Sequence, residues 1–183
     1  MVTEPKKILP KMTVVGIPST FQNDEIINSI REKNPKIREM MDGGSVLTLL
    51  FVKDRASDKL VVFKMSPDIR NFIVRAQGYL YVGLSRCRAY DRFWITQCYH
   101  CLKFGHIAAR CGRKDKDPIC GHCSQNHETR RCSNKESVRC ANCSDARIPH
   151  EQLNHSALSR NCPAFAAQRR ILMSNTDFVS SKN

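Results

Sequence analysis

The sequence has no long hydrophobic run and little negative charge. No stretch approaches the ~20 apolar residues of a membrane-spanning helix, and the initial segment MVTEPKKILPKM has prolines where a secretory leader needs an apolar run. We therefore expect a protein without membrane association that works inside the cell, in a cytoplasmic ribonucleoprotein, in the nucleus or in both. Only 17 acidic residues oppose 30 lysines and arginines, for a formal net charge of +13. This excess favours nucleic acid as a partner.

Cysteine, by contrast, is abundant, and nine of the ten cysteines fall into three consecutive Cys-Cys-His-Cys clusters. The first cluster reads CYHCLKFGHIAARC and offers Cys98, Cys101, His106 and Cys111. A two-residue gap lets two thiolates approach one zinc ion from a single turn, and the glycine before His106 lets the backbone fold back on the metal. The spacing predicts a zinc knuckle over residues 98–111.

Two further clusters follow with the same order of ligands. The second spans residues 120–132 and is one residue shorter between its second and third ligands; the third spans residues 140–162 and has two histidines available, His150 and His155. We favour His155, which lies seven residues before Cys162, while His150 sits in a stretch that resembles an insertion. The other predicted ligands are Cys120, Cys123, His127, Cys132, Cys140 and Cys143. We expect three Zn²⁺ ions, one in each cluster.

Disulfide bonds are the alternative use of so many cysteines. They belong to secreted chains and oxidising compartments, and nothing in this sequence indicates secretion. Cys87 lies outside the clusters, and we expect it to be a small buried hydrophobic residue.

The part of the chain before the clusters predicts an α+β domain. Strands are expected at 12–17, 45–53, 60–65 and 79–82, with helices before Asn34-Pro35 and after Ser66-Pro67. The order β-α-β-β-α-β predicts a ferredoxin-like, RRM-like sandwich with both helices on one face of a four-stranded antiparallel sheet. The predicted organisation is a flexible arm, this domain, the knuckle array, and a short basic helix with a disordered tail, at residues 1–11, 12–92, 93–163 and 164–183.

The predicted sheet lacks the pattern of an RNA-binding surface. RNA-recognition motifs stack bases on aromatic side chains of their two central strands, but here the first strand has none and the third offers only Phe63. We interpret the domain as a structural or protein-contact module, with RNA binding through its surface as the minority alternative, and self-association through it is a further expectation.

Side chains left outside the metal ligands predict how the knuckles bind single-stranded RNA or DNA. Tyr99 and Ile107 are expected to form a platform on which an unpaired base stacks, with cations on the phosphates. In the second cluster Gly121 replaces the aromatic residue, so we expect that knuckle to add charge rather than base selectivity. The predicted phosphate contacts are Lys103, Arg110, Arg113, Lys114, Arg130 and Arg131.

The segments CRAYDRFWITQCYHCLKFGHIAARC, CGHCSQNHETRRC and CANC, with NHSALSRNCPAF at the third site, carry a family resemblance. From residue 12 to residue 170 the chain resembles the Gag-like protein encoded by the first reading frame of arthropod non-LTR retrotransposons of the jockey and X-element type. The resemblance implies binding of the element's RNA in a ribonucleoprotein, nucleic-acid chaperone activity, and His155 as the third histidine ligand. The 11-residue gap between Cys143 and His155 is longer than is usual in that family. Such proteins commonly have a longer N-terminal region, so we expect a fragment or a degenerate copy.

Two other function classes remain to be weighed. A protein-interaction adaptor would use its knuckles to grip another polypeptide. An enzyme is not expected, because no Ser-His-Asp order, phosphate-cradling glycine loop or paired carboxylates stand out. Saturated Cys₃His sites also have no open position for a catalytic water.

Overall fold

The computed structural model describes residues 7–134 and 136–178. They divide into two compact units. One comprises the chain up to Phe93 together with the segment from Ser174 onward, and the other is Trp94–Met173. Among the described residues, none of the helices combines the length and the apolar character needed to traverse a lipid bilayer.

The first unit is a mixed α+β domain built on a five-stranded antiparallel sheet. The strands have the order β2-β3-β1-β5-β4. The predicted four-stranded β-α-β-β-α-β arrangement is not confirmed, because the domain has one strand and one helix more. Its elements in chain order are β1 (Lys11–Pro18), α1 (Glu25–Lys33), α2 (Pro35–Asp42), β2 (Leu47–Asp54), β3 (Asp58–Met65), α3 (Pro67–Arg75), β4 (Tyr79–Val82) and β5 (Ser85–Asp91).

The two additional elements follow from local turn chemistry. Pro35 occupies the first turn of α2, where its missing N–H costs nothing, so it starts a new helix as well as ending α1. Gly83, at φ +58°, reverses the chain after β4. The strand predicted as the last one, β4, therefore lies at the edge of the sheet and pairs only with β5, and β5 takes the place beside β1.

All three helices pack on one face of the sheet. Alternate strand residues such as Met12, Val14, Phe63 and Leu80 are buried there against isoleucines of the helices. The buried helix residues are Ile26, Ile30, Ile37, Ile69 and Ile73. Phe63 is fully buried in this core and so cannot stack on a base.

Cys87 belongs to the same core, as the sequence predicts. Its side chain has no exposed surface, and its Sγ donates a hydrogen bond to the carbonyl oxygen of Gly16 at 3.2 Å. Burial raises the pKa of this thiol to about 11.

Asn34 connects the helices to the free edge of the sheet. Its side-chain amide donates to the carbonyl oxygens of Ile30 (2.7 Å) and Tyr81 (2.8 Å), and its Oδ1 accepts from the backbone N–H of Tyr81 at 3.0 Å. The side chain thus satisfies the outward backbone groups of the edge strand β4.

The two ends of the described chain meet in the first unit. Ile8 forms a parallel bridge with Thr176, and the Phe178 ring lies edge-on to Phe93 with 6.1 Å between centroids. Asn71 Nδ2 donates to the carbonyl oxygen of Phe178 at 3.0 Å. Residues 8–11 and 175–178, for which the sequence analysis expects a flexible arm and a disordered tail, are thus joined to the first unit by backbone pairing and ring contacts. The remainder of both segments, 1–6 and 179–183, lies outside the described residues.

The second unit contains little regular structure. It has α4 (Ala141–Asp145) and α5 (Pro163–Ser174), of which α5 runs to the boundary of the unit. Its 3₁₀ turns lie at Ala108–Arg110, Thr129–Arg131 and His150–Gln152. Because so little backbone is in helices or strands, the fold of this unit depends on its cysteine-rich turns.

We predict that Asn34→Ala lowers the free energy of unfolding by about 1–3 kcal/mol, because it leaves the edge-strand backbone groups without partners. Chemical denaturation monitored by far-UV circular dichroism measures this change. Asn23→Ala, at an exposed loop position, is the matched control and should be neutral. Equal stability of the two variants would contradict this function of Asn34.

Candidate metal and nucleic-acid sites

The structure brings the nine clustered cysteines and three histidines into three groups of four. In each group the four ligand atoms lie within 4.8 Å of one another. The groups are Cys98, Cys101, His106, Cys111; Cys120, Cys123, His127, Cys132; and Cys140, Cys143, His155, Cys162. Each can hold a metal ion, and three sulfurs with one imidazole are the donors of structural zinc sites.

Distances between the donors fit a tetrahedral ion. Two sulfurs each about 2.3 Å from zinc are about 3.8 Å apart in a tetrahedron. In the third group Cys162 Sγ lies 3.6 Å from Cys140 Sγ and 3.4 Å from Cys143 Sγ. These separations far exceed the roughly 2.05 Å of a disulfide bond. The residues therefore fit zinc coordination rather than a disulfide framework.

The third group uses His155 and not His150. His155 Nε2 lies 3.4 Å from Cys143 Sγ, comparable to 3.3 Å between His106 and Cys101 and 3.6 Å between His127 and Cys123. The long gap before His155 is occupied by α4, a 3₁₀ turn and the connecting residues. The insertion thus lengthens the loop without changing the four donors.

All three sites share one backbone turn. The N–H of the residue that follows the second cysteine donates to the carbonyl oxygen of the first cysteine, at 2.8 Å for Leu102, 3.0 Å for Ser124 and 3.1 Å for Ser144. In the first two sites the residue after the second cysteine, Leu102 or Ser124, has positive φ. This shared geometry explains why the Cys-x₂-Cys spacing alone locates the sites.

Hydrogen bonds from these turns act on the thiols. Burial alone would raise the pKa of Cys120, but N–H groups of Cys123 and His122 and the neighbouring thiols lower it to about 6. The same balance lowers the pKa of Cys98, whereas burial raises that of Cys140 to about 12. Zinc is coordinated by thiolates. Ligand cysteines that are protonated at neutral pH must therefore lose their protons when the ion binds.

The knuckles are packed against one another. Leu102 belongs to the first knuckle, yet its fully buried side chain lies in a cluster with Cys140, Cys143 and Leu153 of the third. Its carbonyl oxygen accepts from Asn142 Nδ2 at 3.0 Å. The first and third sites therefore share a small core, a contact that ligand spacing does not indicate.

In the second knuckle, residues of the third cover the position that corresponds to Tyr99 of the first. Gly121 occupies the corresponding position, and a Cβ placed there would lie 3.0 Å from Leu158 Cδ1. The Gly121 carbonyl accepts from Ala157 N–H at 2.9 Å and from Ser156 Oγ at 2.8 Å. The third knuckle thus fills the face on which a base would stack, which explains why this position is glycine.

Tyr99 remains exposed at a cleft where the three knuckles meet. Its side chain is 80% exposed, and the cleft has a volume of about 440 Å³. Pro118 and Leu158 add apolar surface, and Glu128 and Arg130 add charge. Ile107 is also exposed but does not line this cleft. The aromatic platform therefore has Leu158 and Pro118 nearby, residues that the sequence analysis did not select.

Several predicted phosphate contacts lie beside carboxylates. Lys103 Nζ is 3.3 Å from Asp145, and Glu128 is contacted by Arg130 at 2.7 Å and Arg131 at 3.3 Å. The hydrogen bond from Arg130 lowers the pKa of Glu128. Exposed ion pairs are weak, at about 0–1 kcal/mol, so a phosphate can replace these carboxylates.

The linker between the first two knuckles is held by His100. Its Nε2 lies 2.9 Å from the carbonyl oxygens of both Arg113 and Lys116. The two predicted linker contacts differ: Lys114 is exposed, while Arg113 is half-buried with its Nε inside. Arg110, in the first knuckle, is exposed as well. Arg113 is therefore the less accessible of the predicted phosphate ligands.

No protein-family model, curated protein or solved structure matches this chain.

We predict that His155→Ala reduces the zinc content from three ions per chain to two under mild chelator competition, because the third site loses a donor. Native mass spectrometry counts the ions. His150→Ala is the matched control and should retain three. Loss of an ion from the His150 variant instead would exclude His155 as the ligand.

Removal of metal by a chelator should unfold the second unit and spare the first. The core of the first unit contains none of the grouped ligands. Hydrogen exchange read by mass spectrometry should therefore show lost protection within 94–173 and unchanged protection in β1 and β3. Retained protection across 94–173 would contradict metal-dependent folding.

Proposed function

We propose that this protein binds single-stranded nucleic acid, RNA in the first place, through a zinc-dependent knuckle unit. The observation that supports this most directly is Tyr99, an aromatic ring with 80% of its surface exposed at a cleft between metal-ligand clusters, with Arg130 lining that cleft. Aromatic stacking and positive charge are the two elements of single-strand recognition.

Each part of the unit has a distinct function in this proposal. Zinc would hold the turns rigid and supply no further chemistry. An unpaired base stacks on Tyr99 and enters the cleft beside Leu158 and Pro118, while the phosphates contact Arg110 and Lys114. Arg130 and Arg131 release the carboxylate of Glu128 and bind a phosphate instead. One stacked base contributes about 1–3 kcal/mol, so useful affinity requires several contacts along one strand.

We further propose that the chain is a Gag-like component of a retrotransposon ribonucleoprotein, with nucleic-acid chaperone activity. The resemblance of its three Cys-Cys-His-Cys segments to the jockey and X-element type supports this, as does the net charge of +13. A cytoplasmic ribonucleoprotein, the nucleus or both would then be its place of action. Self-association through the first unit belongs to the same proposal.

The first unit is, in this view, a variant of the ferredoxin-like arrangement. Strands β2, β3, β1 and β5 lie in the order of that fold, and the helices pack on one face. The strand β4 then counts as an addition at the edge.

Tyr99→Ala should weaken binding of labelled oligouridine about fivefold or more without loss of zinc, because a stacking surface is removed. Tyr99→Phe keeps the ring and should bind as the wild type does. Fluorescence anisotropy gives the affinities and native mass spectrometry the zinc content. Near-zero affinity of the fully loaded wild-type chain at low salt would favour the protein-interaction adaptor instead.

Glu128→Gln should strengthen oligouridine binding a few-fold at low salt, because it frees Arg130 and Arg131 for phosphate. The salt dependence should steepen by about 0.7 in slope for each additional phosphate that is bound. Glu151→Gln removes an exposed carboxylate of the same unit that lies outside the Tyr99 cleft and serves as control. Equal gains from both variants would show that only total charge matters.

A further inference from the structure

The helices described in the first unit all pack on one face of its sheet and leave the other face without a helix of that unit. Strand alternation directs Met12, Val14 and Phe63 toward the helices, so the residues between them point to the opposite face. We refer to this surface as the open face. The sequence analysis did not favour nucleic-acid binding by this face, because among the first and third predicted strands only Phe63 is aromatic.

Aromatic residues are nevertheless present, on the β5–β4 side of the sheet. Tyr81 and Tyr90 are 47% and 46% exposed, and both alternate with core residues of their strands. Tyr79 lies opposite Arg88 in the register, and the guanidinium of Arg86 stacks 3.8 Å from the centre of its ring. Tyr79 and Tyr81 lie two residues apart on β4, which corresponds to about 6.6–6.8 Å along the strand. This spacing suits successive bases of an extended single strand.

The open face is also positively charged, with Arg86 and Arg88 nearest to these rings. Five cations occupy open-face positions of the strands: Lys11, Lys53, Lys64, Arg86 and Arg88. Among the described strand residues, carboxylates lie elsewhere or at the border. Asp91 shares the core-side register of Met12 and pairs with Arg70 of α3, and Asp58 stands at the start of β3, where it accepts the Gly16 N–H at 2.9 Å.

Tyr81 is also held in place before any ligand arrives. The side chain of Asn34 bonds both its N–H and its carbonyl oxygen, at 3.0 Å and 2.8 Å. A ring fixed on a strand with a secured backbone loses little conformational freedom on binding, so stacking there is favoured.

We propose that the open face, on its β5–β4 side, is a second binding surface for single-stranded nucleic acid. Exposed rings among cations of one sign fit unpaired bases joined by phosphates. Duplex nucleic acid fits less well, because its bases are already stacked on one another. Tyrosine and arginine are also enriched in protein–protein interfaces, so a contact between copies of the chain is one of the outcomes tested below. This surface is separate from the knuckle cleft and contains no metal ligand, so it does not depend on the function proposed for the zinc unit.

The test uses the full zinc-loaded chain and fluorescein-labelled oligouridine. Tyr81→Ala with Tyr90→Ala should weaken binding about fivefold or more. Tyr81→Phe with Tyr90→Phe retains both rings and should bind like the wild type. Thermal unfolding of each variant confirms that the domain is intact, and the phenylalanine pair reports on the surface if the alanine pair is less stable.

A charge-matched comparison separates this face from general attraction. Arg86→Glu with Arg88→Glu changes the net charge as much as Lys33→Glu with Arg38→Glu, which alters exposed cations on α1 and α2. The first pair should weaken binding more and reduce the salt slope by about 0.7 for each phosphate that these arginines no longer bind. Equal decreases in affinity from the two pairs, or wild-type affinity of the alanine pair, would overturn the proposal.

The two binding proposals can fail separately. If only the Tyr99 variant loses affinity, the open face is not a nucleic-acid surface; if only the open-face variants do, the knuckle cleft is not one. Size-exclusion chromatography measures the oligomeric state and so tests whether the open face is a contact between copies of the chain. If Tyr81→Ala with Tyr90→Ala changes the oligomeric state but leaves the affinity for oligouridine unchanged, the open face is a contact between copies of the chain and the proposal is overturned.

Discussion

Convergence of three sulfurs and one imidazole on a common point is the constraint on which Trp94–Met173 depends. Apart from the ligand cysteines, the buried apolar residues described in this unit are Leu102, Leu153, Ala157 and Ala164. So small a core cannot offset the conformational entropy of about 80 ordered residues. Metal coordination would supply the missing stability and fix the turns. The placement of Tyr99, Leu158 and Glu128 around one cleft is a consequence of that coordination.

Most of the metal chemistry could be predicted from the sequence, because it is local. Both ligands of a Cys-x₂-Cys turn come from one loop, so spacing reports geometry directly. The contact of Leu102 with the third knuckle and the cover of Leu158 over Gly121 could not be predicted, since they join residues far apart in the chain. In the first unit the helical stripe of α3 and strands β1 and β3 were predictable from periodicity. The strand β5 does carry a strand pattern, the alternation of Arg86 and Arg88 with Cys87 and Ala89, which the prediction did not use; α2 was not predicted because Pro35 was interpreted only as a stop.

Packing of the knuckles changes what the second one can do. In the sequence each cluster is a separate unit, and three clusters suggest three equivalent contacts. In the structure the Gly121 face is filled by the third knuckle, while Tyr99 of the first stays exposed. Of the three described knuckles, the first therefore presents an aromatic platform with charge around it. A second weak surface elsewhere in the same chain would raise overall affinity through effective concentration.

Cys87 differs from the other nine cysteines in a way that bears on redox behaviour. It takes no part in a ligand group, so no metal displaces the proton of its buried thiol, whose pKa is raised to about 11, whereas metal-bound ligand sulfurs would be thiolates. Thiolates react with oxidants far more readily than thiols do. Peroxide would thus attack the ligand sulfurs, eject the metal and collapse one half of the protein while the sheet domain kept its shape. Oxidative damage would then unfold the metal-binding unit and leave the sheet domain folded.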